Sequence, residues 1–288
     1  MFRSLLLALL RFVVLMLVAG LAGATLVRVA PGFSSDAQEL TPGLSSESIQ
    51  AIRQARLADS NVPQFYLHYL NGLLHGNLGT SQSLNQPVLD LLRDRLPVSL
   101  RSLALALLVA WSVGLALAVG AFRVRSRWFV AAADSSGGAF ISTPAAVLAL
   151  VFLMMRWPPV LAVGLLVFPK IYRYSRNLME ECLELPHIVV ARAKGVGPWR
   201  LLSWHVVPIA IPQLIALVGV SISLGLGALL PVEVFCDLHG IGQLAWTAAQ
   251  SRDLPLLVNL TFVVSCLTIG AIMCCDQLRR LAGREATA

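Results

Sequence analysis

The 288 residues are 57% hydrophobic and only 13% charged, with a mean hydropathy of +0.76. A soluble domain carries about 25% charged residues, so the composition excludes an ordinary soluble enzyme and points to a polytopic membrane protein. The formal charge of +7 is read through topology, because no basic patch interleaves with aromatics as a nucleic-acid surface requires.

Leu5–Leu26 is apolar apart from Arg11. At about 1.5 Å per residue it is long enough for a bilayer core of about 30 Å. Arg3 and Ala22-Gly23-Ala24 also suit a cleaved signal peptide, but the apolar region exceeds the roughly 7–15 residues of a signal core, and an uncleaved first transmembrane helix is expected. Arg28 to Arg101 is a long polar insertion. Within it, Glu47–Leu57 predicts a short helix capped by Ser45 or Ser46. Pro63–Leu74 carries aromatic and aliphatic residues at helical spacing and predicts a small packed cap. His75–Ser81 is turn-rich, and Pro87–Leu96 predicts an amphipathic helix ended by Pro97.

Ser102–Phe122 has no charge and predicts a span, stopped by Arg123, Arg125 and Arg127. Ser135–Met155 predicts another, with a simple kink at Ser142-Thr143-Pro144. After the short connector Arg156-Trp157-Pro158-Pro159, Leu161–Tyr172 predicts a fourth span. Lys170 near its end has two readings, a side chain snorkelling to the interface or a charge in a pathway. Arg173 and Arg176 share a helix face, and Glu180, Glu181 and Glu184 predict a solvated one.

Val190–Gln213 is the most polar stretch of the second half. Ala191-Arg192-Ala193-Lys194 is small and basic, Gly195, Val196, Gly197 and Pro198 follow, and Pro208 and Pro212 mark the return to apolar sequence. This predicts helix, glycine turn, helix on a membrane surface. Two readings stand on the loop alone: a basic surface loop, or a knob that enters a partner. Val206–Val232 is the longest uncharged run, longer than a bilayer core, so it should tilt or break. Its Gly219, Gly225, Gly227, Ser221 and Ser223 suit either close helix contact or the lining of a path. Glu233–Leu254 predicts a short outer loop in which Gly240-x-Gly242 is a turn. Pro255–Cys275 predicts the last span. The five cysteines have no zinc-ligand spacing and no disulfide framework, and read as buried small hydrophobes.

Several fragments resemble a known family. Ala191-Arg192-Ala193-Lys194-Gly195, a later His and then Pro are similar to the EAA loop of ABC-importer permeases, in the form seen in dipeptide and oligopeptide (DppB/OppB-like) permeases. Arg28-x-Ala30-Pro31-Gly32, Pro63-x-x-Tyr66, Gly76-Asn77-Leu78-Gly79-Thr80-Ser81, Pro87-Val88 and Arg95-Leu96-Pro97-x-Ser99-Leu100 follow that family's N-terminal signature in order. Val232, Glu233, Phe235, Gly240, Gly242, Leu244, Ala248, Arg252, Asp253 and Pro255 resemble its later signature. Phe33 and Asn77 stand where the family has Asp, Ser99 for Thr, His187 for Tyr and His239 for Pro.

The resemblance implies an all-α protein with six transmembrane helices and the type I ABC-importer permease fold. Residues 1–27 would be the first helix, 28–101 an extracytoplasmic loop and 102–288 the permease core, with the coupling loop at about 177–205. It implies a subunit with no catalytic, metal or cofactor site of its own, ATP and Mg being bound by partner ATPases. The implied partners are a second homologous (DppC-like) permease, two cytoplasmic ATPases, an extracytoplasmic solute-binding protein and membrane lipid. ATPase coupling would fall on Ala191, Arg192, Ala193, Lys194, Gly195, Val196, Pro208 and Pro212. The outer-loop motif would be Gly76, Leu78, Gly79, Ser81, Glu233, Gly240, Gly242, Arg252 and Asp253. An inactive paralogue or a membrane scaffold is the competing expectation.

Charge asymmetry agrees. With six spans and both termini inside a bacterial inner membrane, the short outer connectors hold only Arg156 and Arg252 as basic residues. The sequence contains no G-x-x-x-x-G-K-[ST], H-E-x-x-H or G-x-S-x-G.

Overall fold

The computed structural model describes residues 77–124, 126–251 and 253–285, with residues 10, 12–15, 17, 18, 21, 25 and 72 as isolated positions. The helices expected at Leu5–Leu26, Glu47–Leu57 and Pro63–Leu74 lie outside the described residues except at those positions, and Gly76 and Arg252 lie outside them altogether. The described chain is helical: α1 (Val88–Val124), α2 (Arg127–Ser142), α3 (Ala145–Met154), α4 (Pro159–Leu183), α5 (Pro186–Ala193), α6 (Pro198–Leu201), a π-helical turn (Leu202–Val206), α7 (Val207–Phe235), α8 (Ile241–Gln250) and α9 (Leu254–Glu285). Among the described residues there is no strand, only an isolated bridge between Thr80 and Pro87.

Three stretches are long and apolar enough to cross a membrane: Val88–Val124, Pro198–Phe235 and Pro255–Ala282. A fourth is formed if α2 and α3, bent by 98° at their junction, count as one span. Helix α4 carries Lys170, Arg173 and Arg176 and is not among them.

Three local expectations are corrected. Pro97 does not end a helix; α1 runs through it for 37 residues. The carbonyl released by the missing N–H belongs to Arg93, four residues earlier and exposed, where water can take it. The expected kink at Ser142-Thr143-Pro144 is a break. Thr143 is extended (φ −84°, ψ 124°), the conformation a following proline imposes. Ser142 Oγ and Thr143 Oγ1 donate to the carbonyls of Gly138 and Ala139, both at 2.9 Å, at the end of α2. Glu233–Leu254 is not simply a loop: Glu233 lies in α7, and residues 241–250 form α8.

The chain divides into two units, Met1–Arg95 with Leu244–Leu267 and Leu96–Gln243 with Thr268–Ala288. In the second, α4 is central, with α7, α2 and α3 packed on it. Val163, Val167, Phe168, Ile171 and Tyr172 are its buried stripe. Small residues sit where helices approach most closely. A Cβ on Gly114 would stand 2.9 Å from Ile171, and one on Gly225 2.7 Å from Leu103. Gly219 meets Ile272 Cα at 3.2 Å in the same sense, and Ser221 accepts from Trp111 Nε1 at 3.0 Å. Of the two readings of the α7 glycines, Gly219 and Gly225 therefore serve helix contact, whereas Gly227 faces open space. Cys182, Cys236 and Cys275 are buried as expected, Cys266 partly so, and Cys274 is exposed.

Candidate functional site

Helix α5 starts with Pro186 in its first turn and ends at Ala193. Lys194 closes it and Gly195 turns left-handed, at φ +81°. Gly195 N–H donates to Arg192 O at 3.1 Å and Val196 N–H to Ala191 O at 3.3 Å. These are the paired 5→2 and 6→1 bonds of a Schellman cap, which satisfies carbonyls that a helix end leaves bare. No neighbour lies within 4 Å of a Cβ built on Gly195, so glycine is required by backbone conformation alone. Pro198 then opens α6.

The segment anchors itself with few side chains. Ile188, Leu201, Leu202 and Val206 are buried in a core shared with Tyr172 and Cys182. Arg192, Ala193, Lys194 and Gly195 are exposed, and so are the apolar Val189, Val190 and Trp199. Arg123 lies over the Trp199 ring, 5.3 Å from its centroid, a cation–π contact. Pro208 stands at the start of α7, just after the π turn. Its ring would clash with the carbonyl four residues back in a regular helix, and the wider π turn lies just where that crowding falls. Pro212 is accommodated inside α7.

The outer-motif residues form two carboxylate clasps, one in each unit. In the first, Asp253 is buried and caps α9, with Leu256 N–H donating to Oδ1 at 3.2 Å. Its Oδ2 accepts Ser81 Oγ–H at 2.5 Å, Ser83 N–H at 3.0 Å and Ser83 Oγ–H at 2.8 Å. Asn259 Nδ2 donates to Leu78 O at 2.9 Å. Gly79 is left-handed at φ +76°, and its N–H donates to Asn77 Oδ1 at 2.9 Å. Burial alone would push the Asp253 carboxyl up; the donors from Ser81, Ser83 and Leu256 outweigh it and hold the group below its ordinary value. A depressed carboxylate contributes stability above its unfolded value of about 3.9 and loses it as pH falls through the lower folded value. The clasp is therefore intact at neutral pH and opens only in acid below about pH 4. Asp253→Asn places an NH2 against one of these donors and is expected to cost about 1–3 kcal/mol. Limited proteolysis checks it: residues 77–87 should be cut faster in the variant at pH 7, and in the wild-type chain only after acidification.

In the second clasp, Glu233 is fully buried in the last turns of α7. Ser99 Oγ–H donates to Oε1 at 2.6 Å, and Gly242 N–H donates to Oε2 at 2.7 Å. Ser99 Oγ in turn accepts Ile241 N–H at 2.8 Å. Gly240 and Gly242 wrap the carboxyl: a Cβ on Gly240 would stand 2.2 Å from Glu233 Cδ, and one on Gly242 2.5 Å from Leu230 O. The Gly-x-Gly is therefore a cradle as well as a turn.

Residues 96–286 match the family model described as binding-protein-dependent transport system inner membrane component. The chain belongs to that family. A putative peptide transport system permease protein of Brucella abortus is 27% identical over 266 residues, covering 83% of this chain and 85% of the relative. A probable peptide ABC transporter permease protein of Sinorhizobium fredii is 26% identical over 286 residues, covering 89% and 90%. The dipeptide transport system permease protein DppB of Lactococcus lactis is 24% identical over 273 residues, covering 88% of both.

The family match takes in α5, its glycine turn and the Glu233 clasp, while the Leu78–Ser81 segment lies before it. Sequence reading singled out Ser81, Glu233, Gly240, Gly242 and Asp253 as members of one outer-loop motif, but not who bonds to whom. It missed Ser83 and Asn259. The available signal was chemical: the later signature holds two acids, Glu233 and Asp253, and two of the N-terminal fragments hold serine hydroxyls, Ser81 and Ser99.

Proposed function

We propose that this inner membrane transport component is one of the two permeases of an ATP-driven importer, and that it forms the path for peptides or a related small solute delivered by a binding protein. The transport role follows from family membership. Peptide is supported by the names borne by the relatives. In this reading six spans cross a bacterial inner membrane with both termini cytoplasmic, which the charge asymmetry supports. A homologous permease and two ATPases complete the membrane complex, and an extracytoplasmic binding protein loads it. ATP and Mg belong to the ATPases.

The observation that carries the coupling role is the Gly195 cap between α5 and α6. It presents Val189, Val190 and Trp199, exposed apolar side chains, beside Arg192 and Lys194. Desolvating such a cluster needs a partner surface. An ATPase that closes on ATP would move this segment as a rigid piece, because its carbonyls are already satisfied, and the spans would rearrange with it. The test is affinity capture of the C-terminally tagged chain from gently solubilised membranes. The expected result is an ATPase pair and a second permease; recovery of the chain alone after crosslinking overturns the reading in favour of an inactive paralogue or scaffold.

A further inference from the structure

We propose that a cavity between the end of α1, the start of α2 and the last turns of α4 holds a phospholipid with a phosphoethanolamine head. The cavity has a volume of about 480 Å³. Ala118, Phe122, Met179 and Leu183 give it an apolar wall, and Ser126, Arg127, Asp134, Arg176 and Glu180 a polar one.

Its place along the chain marks the level of the lipid heads. The apolar run of α1 ends at Phe122, and Arg123 and Arg127 follow. Trp128 is 86% exposed, a ring that belongs at a membrane–water boundary. A cavity opening there meets heads above and acyl chains below.

The polar wall carries both signs of charge. Arg176 Nη1 bonds Asp134 Oδ2 at 2.9 Å, and Arg176 Nε bonds Glu180 Oε1 at 3.0 Å. Burial works against the Arg176 charge, but the Tyr172 hydroxyl and these carboxylates more than restore it, and its pKa is raised. Arg173 reaches Asp134 as well, through the backbone carbonyl at 2.9 Å. Asp134 is thus shared by two cations, whereas Glu180 has one and is 60% exposed, with acceptor capacity left. Arg127 makes no ion pair among the described residues, and the Ser126 hydroxyl is not spent on capping α2. The lining therefore offers donors to a phosphate from Ser126 and Arg127, an acceptor to an ammonium from Glu180, and an apolar surface to a chain. A free phosphate uses one of these three features, and a choline head cannot donate to Glu180.

The test is native mass spectrometry of the full-length chain in mild detergent with phosphatidylethanolamine or phosphatidylcholine. Retention of the ethanolamine lipid should exceed that of the choline lipid roughly tenfold, the ratio that one charge-assisted hydrogen bond supplies. Glu180→Gln should abolish the preference, and Arg127→Gln should weaken retention of both lipids. Both side chains are exposed, and an unchanged size-exclusion profile shows that each variant folds. Equal retention of the two lipids by the wild-type chain, a preference untouched by both variants, or displacement of the lipid by excess inorganic phosphate overturns the proposal.

Discussion

Gly242→Ala is expected to lower the stability of the detergent-purified chain strongly. The new Cβ would stand 2.5 Å from Leu230 O and 2.8 Å from Leu230 Cα. Those are backbone atoms of α7 and cannot swing aside as a side-chain tip can. The start of α8 must move instead, and the bond from Gly242 N–H to Glu233 moves with it. Overpacking costs about 1–3 kcal/mol, and a buried acceptor robbed of its donor about 1–3 more. The sum, on the order of 2–6 kcal/mol, should appear as a fall in unfolding temperature of several degrees.

Two companions separate the clasp from mere crowding. Glu233→Gln should be mild. Its amide oxygen can face Gly242 N–H and its NH2 the Ser99 hydroxyl, which has acceptor capacity. Glu233→Ala should be severe, because it strands Gly242 N–H and leaves a void. A Gln variant as unstable as the Ala variant would show that the carboxylate itself, and not the hydrogen-bond pattern, is required.

Gly195→Val is expected to abolish ATP-dependent uptake by the reconstituted complex while membrane insertion and the size-exclusion profile stay normal. No neighbour would be struck, since the space around a Gly195 Cβ is open. The cost is conformational. At φ +81° a β-branched side chain clashes with its own backbone, and the turn escapes by giving up the two cap bonds. That should cost about 1–3 kcal/mol locally. It would release Val189, Val190 and Trp199 from their fixed presentation without touching the buried Ile188 and Leu201. Gly195→Asn is the control: Asn tolerates the left-handed region better than other non-glycine residues, so it should retain part of the uptake. Normal uptake by Gly195→Val would remove the coupling assignment.

Much of this was legible in the chain because the relevant signals are local. A glycine after a small, basic helical run predicts a left-handed cap, and Gly195 is one. Uncharged runs predict long apolar helices, and α1, α7 and α9 follow them. Failures came where tertiary context overrides a local rule. Pro97 breaks helices in isolation, yet α1 passes through it, the lost bond falling at Arg93, an exposed residue. Ser142-Thr143-Pro144 looked like a kink because the uncharged run continues on both sides of it; two hydroxyl back-bonds at the end of α2 accompany the full turn. Glu233 looked like loop because acids belong in water, and nothing near it in sequence reveals the hydroxyl supplied from 134 residues away. Long-range pairs of this kind leave a chemical hint, such as the acid Glu233 at the end of an uncharged run, but no address.

The Ser99 hydroxyl has a further consequence. Its oxygen receives a hydrogen bond from Ile241 N–H while its own proton goes to the Glu233 carboxylate, so one hydroxyl accepts and donates at once. The position thus has an alphabet of two letters, Ser and Thr, since only an sp³ alcohol on a short stem both receives and passes on a hydrogen bond there. The Ser found here in place of the Thr of similar permeases is a synonym. Ser99→Ala would delete the word, and the sentence would become readable again only if position 233 ceased to be an acid at the same time.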